Sequence, residues 1–308
     1  MKAIPLKNEQ MQNAYAIAEK AARVDFPVLI NGETGVGKEF IAKYIYEKIP
    51  RSEKSKFISL NCSAIPENLI ESELFGYVKG AFTGATKDKI GFIKIGDGGV
   101  LFLDEIGEMS LYLQNKLLRV LENGEFVPVG SVVVEKSNFR LICATNADLK
   151  EKVKRGEFRI DLYHRINVIT IKIPPLRERL DEIPYLIQYV LDDLGFPNYK
   201  VSLDVMDLLL RYPWPGNIRE LRNVTESAFA MMDDHETLIR IHHLPADRFG
   251  EDEHFLPGRN GTSLKERERL FRETLIRHAI DMCGNDYKKV MQILKTSKDV
   301  IYRALASH

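Results

Sequence analysis

The stretch VLINGETGVGKE, residues 28–39, decides the fold. PVLI (27–30) reads as a short buried strand and KEFIAKYIYEKI (38–49) as an amphipathic helix. Between them Gly32, Gly37 and Lys38 stand in the spacing G-x-x-x-x-G-K. Glycines let such a loop curl until its N–H groups face phosphate oxygens, and the helix N-terminus adds positive dipole. Lys38 would reach the β- and γ-phosphates. Gly32, Glu33, Thr34, Gly35, Val36, Gly37, Lys38 and Glu39 are therefore the nucleotide-binding candidates. Glu39 occupies the place where Ser or Thr normally helps to hold Mg²⁺, so a metal must lean on other groups.

Such groups follow downstream. GGVLFLDE (98–105) is an apolar strand ending in two carboxylates. Asp104 suits a Mg²⁺ ligand, and Glu105 the base that activates an attacking water. Asn146, closing the strand FRLICATN (139–146), could orient that water. Hydrolysis also needs positive charge at the γ-phosphate; Arg159 and Arg165 in FRIDLYHRINV, and Arg219 in WPGNIRELRNV, are the candidates.

FISL (57–60) is a further short strand, while residues 9–23 and 111–124 read as helices and 125–135 as a hairpin turning near Gly130. Four non-alternating strands separated by helices predict an α/β domain, a mostly parallel sheet covered on both faces. After IPPLRER (173–179) the β signal vanishes, and helical patterns at 181–194, 202–211 and 216–231 predict a small all-α domain. Residues 247–263 read as a polar linker, and a long helix with two short ones follows from 264. The expected partition is 1–173, 174–246, 247–263 and 264–308.

The 308 residues carry equal numbers of basic and acidic side chains, which removes any whole-protein electrostatic case for nucleic acid. Residues 264–308 nevertheless hold ten Lys/Arg against six acids. Cys62, Cys143 and Cys283 are odd in number and far apart, which argues against disulfides and zinc. The histidines lack metal-ligand spacing, and His242-His243 reads as a solvated turn. No apolar run approaches the ~18 residues that span a bilayer, and the start MKAIPLKNEQMQ is not a signal peptide, so a cytoplasmic protein away from membranes is expected.

VKGAFTGATKDKIG (78–91) contains one large ring, Phe82, between Gly80 and Gly84. A greasy side chain on so flexible a loop is either packed down locally or presented to something else.

GETGVGKE, ELFGYVKGAFTGA, GGVLFLDEIGEM, FRIDLYHRINV, IPPLRER and WPGNIRELRNV, in this order, resemble the AAA+ bacterial enhancer-binding proteins. These are ATP-driven activators of sigma-54 RNA polymerase. The resemblance implies an AAA+ parallel sheet sandwiched by helices, a helical lid, and a ring, usually a hexamer, with ATP between subunits. Lys38 then looks like the phosphate lysine, Asp104 and Glu105 like the acids for Mg²⁺ and water, and Asn146 like a first sensor. Arg159 and Arg165 resemble arginine fingers acting in trans, Arg219 a second sensor, and Asn61 a partner that switches Glu105 off. Glu39 is usual at its position in this family. Gly80, Ala81, Phe82, Thr83, Gly84 and Ala85 match the GAFTGA tip of a mobile loop that touches sigma-54, with Phe82 and Thr83 as its contact residues. The hairpin near Gly130 matches a second mobile loop beside it. Many members carry an N-terminal sensing domain, so either a partner protein regulates this chain in trans or the sequence is a piece of a longer protein.

NDYKKVMQILKTSKDVIYRALAS (285–307) looks like two short helices around a turn at Lys295–Ser297. The family has a Fis-type helix-turn-helix here, which implies enhancer DNA as a partner and residues 297–306 as the recognition helix. Lys298 and Arg303 would be DNA contacts, with Lys288, Lys289, Ser297 and Tyr302 beside them. The family's turn usually carries Gly where this chain has Lys295. A regulator that uses nucleotide only as a ligand, and a remodeller of some other protein, are the competing readings.

Overall fold

Five strands build the main sheet: β1 (Val28–Asn31), β2 (Phe57–Asn61), β3 (Val100–Asp104), β4 (Arg140–Thr145) and β5 (Ile169–Lys172). They are all parallel, in the order β2-β3-β4-β1-β5. The computed structural model describes residues 8–50, 56–233, 235–249 and 264–306. It divides into two units, Asn13–Ile173 and Met1–Gln12 with Pro174–His308.

Both faces of the sheet are buried, which is why its strands read as apolar runs. Leu29, Leu101, Leu103, Leu141 and Cys143 enter one large core with Ile93, Leu117, Phe158 and Leu162. Val28, Ile30, Phe102 and Ile142, the alternate residues, are fully buried as well. Two residues of the helix Lys38–Lys48, Ile41 and Ile45, are equally inaccessible.

The insertion of β4 between β1 and β3 sets the site. Asn31 lies opposite Thr145 and Leu103 opposite Cys143, so β1, β3 and β4 end together at one edge. The loop after β1, the acids Asp104 and Glu105, and Asn146 all leave the sheet there, the carboxyl edge where open α/β sheets bind ligands.

The sequence reading missed β5. Its partial exposure at an edge gives VITIK no continuous apolar run, and the strand stands only through pairing with β1. The expectation that β structure ends at IPPLRER is also corrected, because Lys200–Val201 pairs in parallel with Leu238–Ile239. A two-residue ladder leaves no periodic signal.

The second unit packs the helices Ile183–Asp193, Leu203–Arg211 and Asn217–Ala230 around Leu186, Val205, Leu209, Leu221 and the inaccessible Trp214. Two non-glycine residues take positive φ where the last of these helices begins, Trp214 in the preceding turn at 52° and Asn217 at the helix start at 55°. Both are fixed by hydrogen bonds: the Trp214 indole donates to the Leu209 carbonyl at 2.8 Å, and Asn217 Oδ1 accepts from the Leu176 N–H at 2.8 Å. Phe249, inside the span read as linker, is buried against Tyr212 and Trp214. Residues 250–263 of that span lie outside the described residues.

His243 corrects another expectation, because it is buried instead of solvated. Its Nδ1 accepts from the Arg240 N–H at 3.1 Å and its Nε2 lies 2.9 Å from Glu236 Oε2. Glu236, His242 and His243 bring potential ligand atoms within 4.8 Å of one another. Because Nδ1 accepts, the ring hydrogen sits on Nε2 and points at Glu236, which leaves no lone pair for a metal. The cluster is a hydrogen-bonded turn.

The C-terminal helices Leu264–Met282, Tyr287–Ile293 and Lys298–Ala306 share a small core of Ile276, Ala279, Ile280, Val290 and Ile301. Lys295, in the turn before the last helix, has φ 46°. This is a conformation that a glycine would adopt without strain.

Candidate functional site

The loop after β1 forms a cradle because its glycines take conformations closed to other residues. Gly35 has φ 79° and Gly37, which precedes the helix Lys38–Lys48, has φ 101°. Gly32 is required for space instead: a Cβ there would lie 2.9 Å from Val36 Cγ2 and 3.2 Å from the Ile173 carbonyl oxygen.

Lys38 is buried beneath this loop. Its ammonium donates to the carbonyls of Gly32 and Glu33 at 3.1 and 3.4 Å and to Glu105 Oε1 at 2.9 Å. The other oxygen of Glu105, Oε2, accepts from the Asn146 N–H at 3.0 Å. The Asn146 side chain reaches across to Thr34, its Nδ2 donating to Oγ1 at 2.9 Å. Thr34, Asn146, Glu105 and Lys38 thus form a chain of contacts around the cradle. Glu105 itself has φ 53°, a strained backbone of the kind that concentrates at functional sites.

Asp104 lies beside them and accepts from the Glu105 N–H through Oδ1 at 3.1 Å. Burial, together with the neighbouring Glu105 carboxylate, raises the Asp104 carboxyl above its ordinary range, and Lys38 opposes the shift. Two adjacent carboxylates against one ammonium leave a local excess of negative charge on hard oxygen ligands, which fits Mg²⁺. The Glu39 carboxylate pairs with Lys43, one turn further along the helix, at 2.8 Å, and its charge adds a smaller upward push on Asp104. Burial beside Asp104 and Glu105 pushes the Cys62 thiol up to about 12, and burial, with Cys62 nearby, raises the inaccessible Cys143 thiol well above its ordinary value. Neither is poised as a nucleophile.

The remaining sequence candidates fall at several places. Asn61, at the end of β2, lies opposite Asp104, yet its Oδ1 accepts from the Ser63 N–H and hydroxyl at 2.9 and 2.8 Å and is not bonded to Glu105. Arg159 pairs with Asp161 through two bonds of 3.0 and 2.6 Å, and Arg165 donates to the Leu121 carbonyl. Neither arginine touches Glu105 of its own chain. Arg219 is exposed on the first turn of the helix Asn217–Ala230.

The Phe82 loop rises from a two-residue antiparallel pair, Gly76–Tyr77 with Lys89–Ile90. Its tip is closed by bonds from the Gly80 N–H to the Ala85 carbonyl and from the Ala85 N–H to the Phe82 carbonyl, at 2.9 and 3.0 Å. Gly80 and Gly84 have φ 85° and 100° with open space around them, so backbone angle alone requires glycine there. Phe82 remains 43% exposed, its ring edge-on to Tyr77 at 5.0 Å. Thr83 is exposed too, whereas Ala85 turns inward. The 125–135 segment lies alongside: Val78 N–H donates to the Val129 carbonyl at 3.1 Å and Val129 N–H to the Gly76 carbonyl at 2.9 Å.

Comparison with known families now decides what this arrangement belongs to. The Sigma-54 interaction domain matches residues 4–172, and the AAA+ ATPase lid domain matches 177–255. The chain belongs to the sigma-54 interaction family. This is a family of AAA+ transcriptional activators. A Nif-specific regulatory protein of Klebsiella pneumoniae is 39% identical over 306 residues, covering 96% of this chain and 57% of that protein. Regulatory protein LuxO of Vibrio cholerae is 50% identical over 207 residues, 66% of this chain and 39% of that protein. The chain thus spans about two to three fifths of the length of these relatives. The crystal structure of NtrX from Brucella abortus in complex with ATP aligns with a TM-score of 0.75 at 27% identity, covering 100% of this chain and 69% of that one.

The six C-terminal candidates, Lys288, Lys289, Ser297, Lys298, Tyr302 and Arg303, are exposed on or beside the last two helices. Tyr302 stacks on Tyr287 at 5.9 Å, and Lys298 lies over the Tyr302 ring at 5.4 Å. Among the described residues no helix is long and apolar enough to cross a membrane.

What sequence reasoning missed are the contacts that join distant segments. Thr34 to Asn146 spans 112 positions, and Tyr77 becomes the partner of Phe82 only once the loop is folded.

Proposed function

We propose that this member of the sigma-54 interaction family hydrolyses ATP and uses the cycle to remodel the closed complex of sigma-54 RNA polymerase at a promoter. The observation that carries the reading is a phosphate cradle with a buried lysine and paired acids in the same unit as a projecting loop that exposes Phe82.

ATP would place its phosphates in the Gly32–Gly37 cradle, drawing Lys38 away from Glu105. The freed carboxylate is then the base that takes the proton of the attacking water. Asn146 orients that water. Asp104 would hold Mg²⁺, which would supply neutralisation of the phosphate charge. Arg159 and Arg165, unused in their own site, act on the nucleotide of a neighbouring subunit in a ring, taken as a hexamer, while Arg219 serves the nucleotide from the lid. Asn61 holds Glu105 off between cycles, in an arrangement that replaces its bonds to Ser63. The Phe82 loop is the output: γ-phosphate contacts bias a loop with two positions, and its Phe82–Thr83 tip meets sigma-54. The C-terminal helices bind enhancer DNA through Lys298 and Arg303, and a regulatory protein acting in trans is a further partner. The expected compartment is the cytoplasm.

The test is open-complex formation by sigma-54 polymerase on a supercoiled promoter with ATP, comparing the wild type with Phe82→Ala at matched ATPase rates. Activation by the wild type and its loss in the variant are expected. ATP turnover without any activation by the wild type overturns the remodelling role and favours a regulator that only senses nucleotide.

A further inference from the structure

Gln114 is a polar side chain with no exposed surface, set in the first turn of the amphipathic helix Leu111–Asn123 near Leu113, Leu117 and Leu118. A buried amide survives only with its hydrogen bonds made. Its Nε2 donates to the carbonyls of Met109 and Glu157 at 2.7 and 3.1 Å, and its Oε1 accepts from the N–H of Arg159 at 2.8 Å. All three partners are backbone groups, and two of them flank Phe158, whose ring is buried in the same core. The orientation of the amide is determined. If it were turned over, its oxygen would face two carbonyl oxygens and its NH₂ would face an N–H.

Arg159 is therefore fixed twice. Gln114 holds its main chain, at the residue that precedes the helix Ile160–Ile166, and Asp161 holds its guanidinium through two bonds. The bond from Arg159 lowers the Asp161 carboxyl below its ordinary range. Neither partner is part of the cradle that holds Glu105.

We propose that Gln114 is the positioning residue for Arg159: it sets where the guanidinium emerges towards the nucleotide of the adjoining subunit. This rests on the reading that Arg159 acts in trans. The site of Gln114's own subunit is affected far less, because Lys38 and Asn146 hold the Glu105 carboxylate, and Lys152 donates to the Gly107 carbonyl and to Glu108.

Mixed rings test this. A subunit carrying Glu105→Gln keeps Arg159 but not its own hydrolysis, and one carrying Arg159→Ala keeps its hydrolytic residues but no longer offers Arg159. Mixed, they are expected to hydrolyse ATP at least about tenfold faster than either alone, well within what an arginine finger contributes. Gln114→Met is then added to one subunit type at a time, with ring mass and melting temperature recorded. On the Glu105→Gln subunit it is expected to abolish the gain; on the Arg159→Ala subunit it is expected to leave most of it. A purely structural role would weaken both mixtures alike, and equal losses, or no loss in either, overturn the proposal. If the methionine variant melts below the assay temperature, the mixtures are compared below that midpoint, where the same asymmetry is expected. Absence of any gain in the parent mixture overturns the trans role of Arg159, and the proposal with it.

Discussion

Lys38 places its ammonium 2.9 Å from Glu105 Oε1, with 6% and 13% of the two side chains exposed. The lysine proposed to bind phosphate and the base proposed to activate water are each other's partner in this structure. An almost buried carboxylate left alone would cost several kcal/mol, so each stabilises the other's charge.

Glu105→Gln breaks this relationship without emptying the space. Lys38 no longer has to leave a carboxylate, so ATP should bind at least as tightly as in the wild type. Turnover should fall by about 10²–10⁴, the usual contribution of a positioned base. Equilibrium binding and steady-state hydrolysis of the same preparation check both halves; normal turnover removes Glu105 from the role.

Thr34 is the far end of the chain that holds Asn146. Thr34→Val keeps the shape and deletes the acceptor of the 2.9 Å bond. A neutral hydrogen bond is worth about 1 kcal/mol, which as a barrier change is about fivefold in rate. The expected result is a kcat reduced by about that factor with KM for ATP little changed, and recovery in Thr34→Ser. A raised KM at full kcat would instead place the hydroxyl in ground-state binding.

Gly130 couples the two loops. It has φ 77°, and a Cβ there would lie 2.6 Å from Ala81 Cβ. Gly130→Ala therefore adds a left-handed strain of about 1–2 kcal/mol to a collision with the GAFTGA tip. ATP turnover is expected to hold within about twofold while open-complex formation is lost; this follows from the contact lying at the tip, away from the cradle. Unchanged activation would show that the loops move independently.

The parts of the site legible in the sequence were those carried by local pattern. Gly32, Gly37 and Lys38 announce a strand–loop–helix turn, and the apolar run ending in Asp104 and Glu105 announces a buried strand with an acidic end. Even their convergence follows from parallel strands sharing one edge. Hidden were the features created by long-range contact. The edge strand Ile169–Lys172 exists by pairing with β1, and the short Lys200–Val201 ladder by pairing with Leu238–Ile239. His243 looked solvated because a histidine pair in a turn carries no sign of the burial that surrounds it. The positive φ of Trp214 and Asn217 was equally silent, since neither is a glycine.

His278 gives the second unit a pH dependence of definite sign. Its Nε2 lies 2.9 Å from the Val201 carbonyl, on the helix Leu264–Met282. Burial lowers its pKa below the ordinary value; the Val201 bond and Asp281 oppose this, and Lys200 adds to it. The unfolded chain takes up the proton near pH 6.5, and the folded chain only at lower pH. Within that window the unfolded state binds more protons, so stability decreases as pH falls. The contribution is complete above about pH 6.5 and is lost on acidification through the folded value. Denaturant midpoints from pH 7.5 to 5.5 should therefore decline in the wild type. His278→Gln can still donate to the Val201 carbonyl but does not titrate, and its curve should be flatter over the same range. Parallel curves for the two proteins would exclude His278 as the origin of the slope.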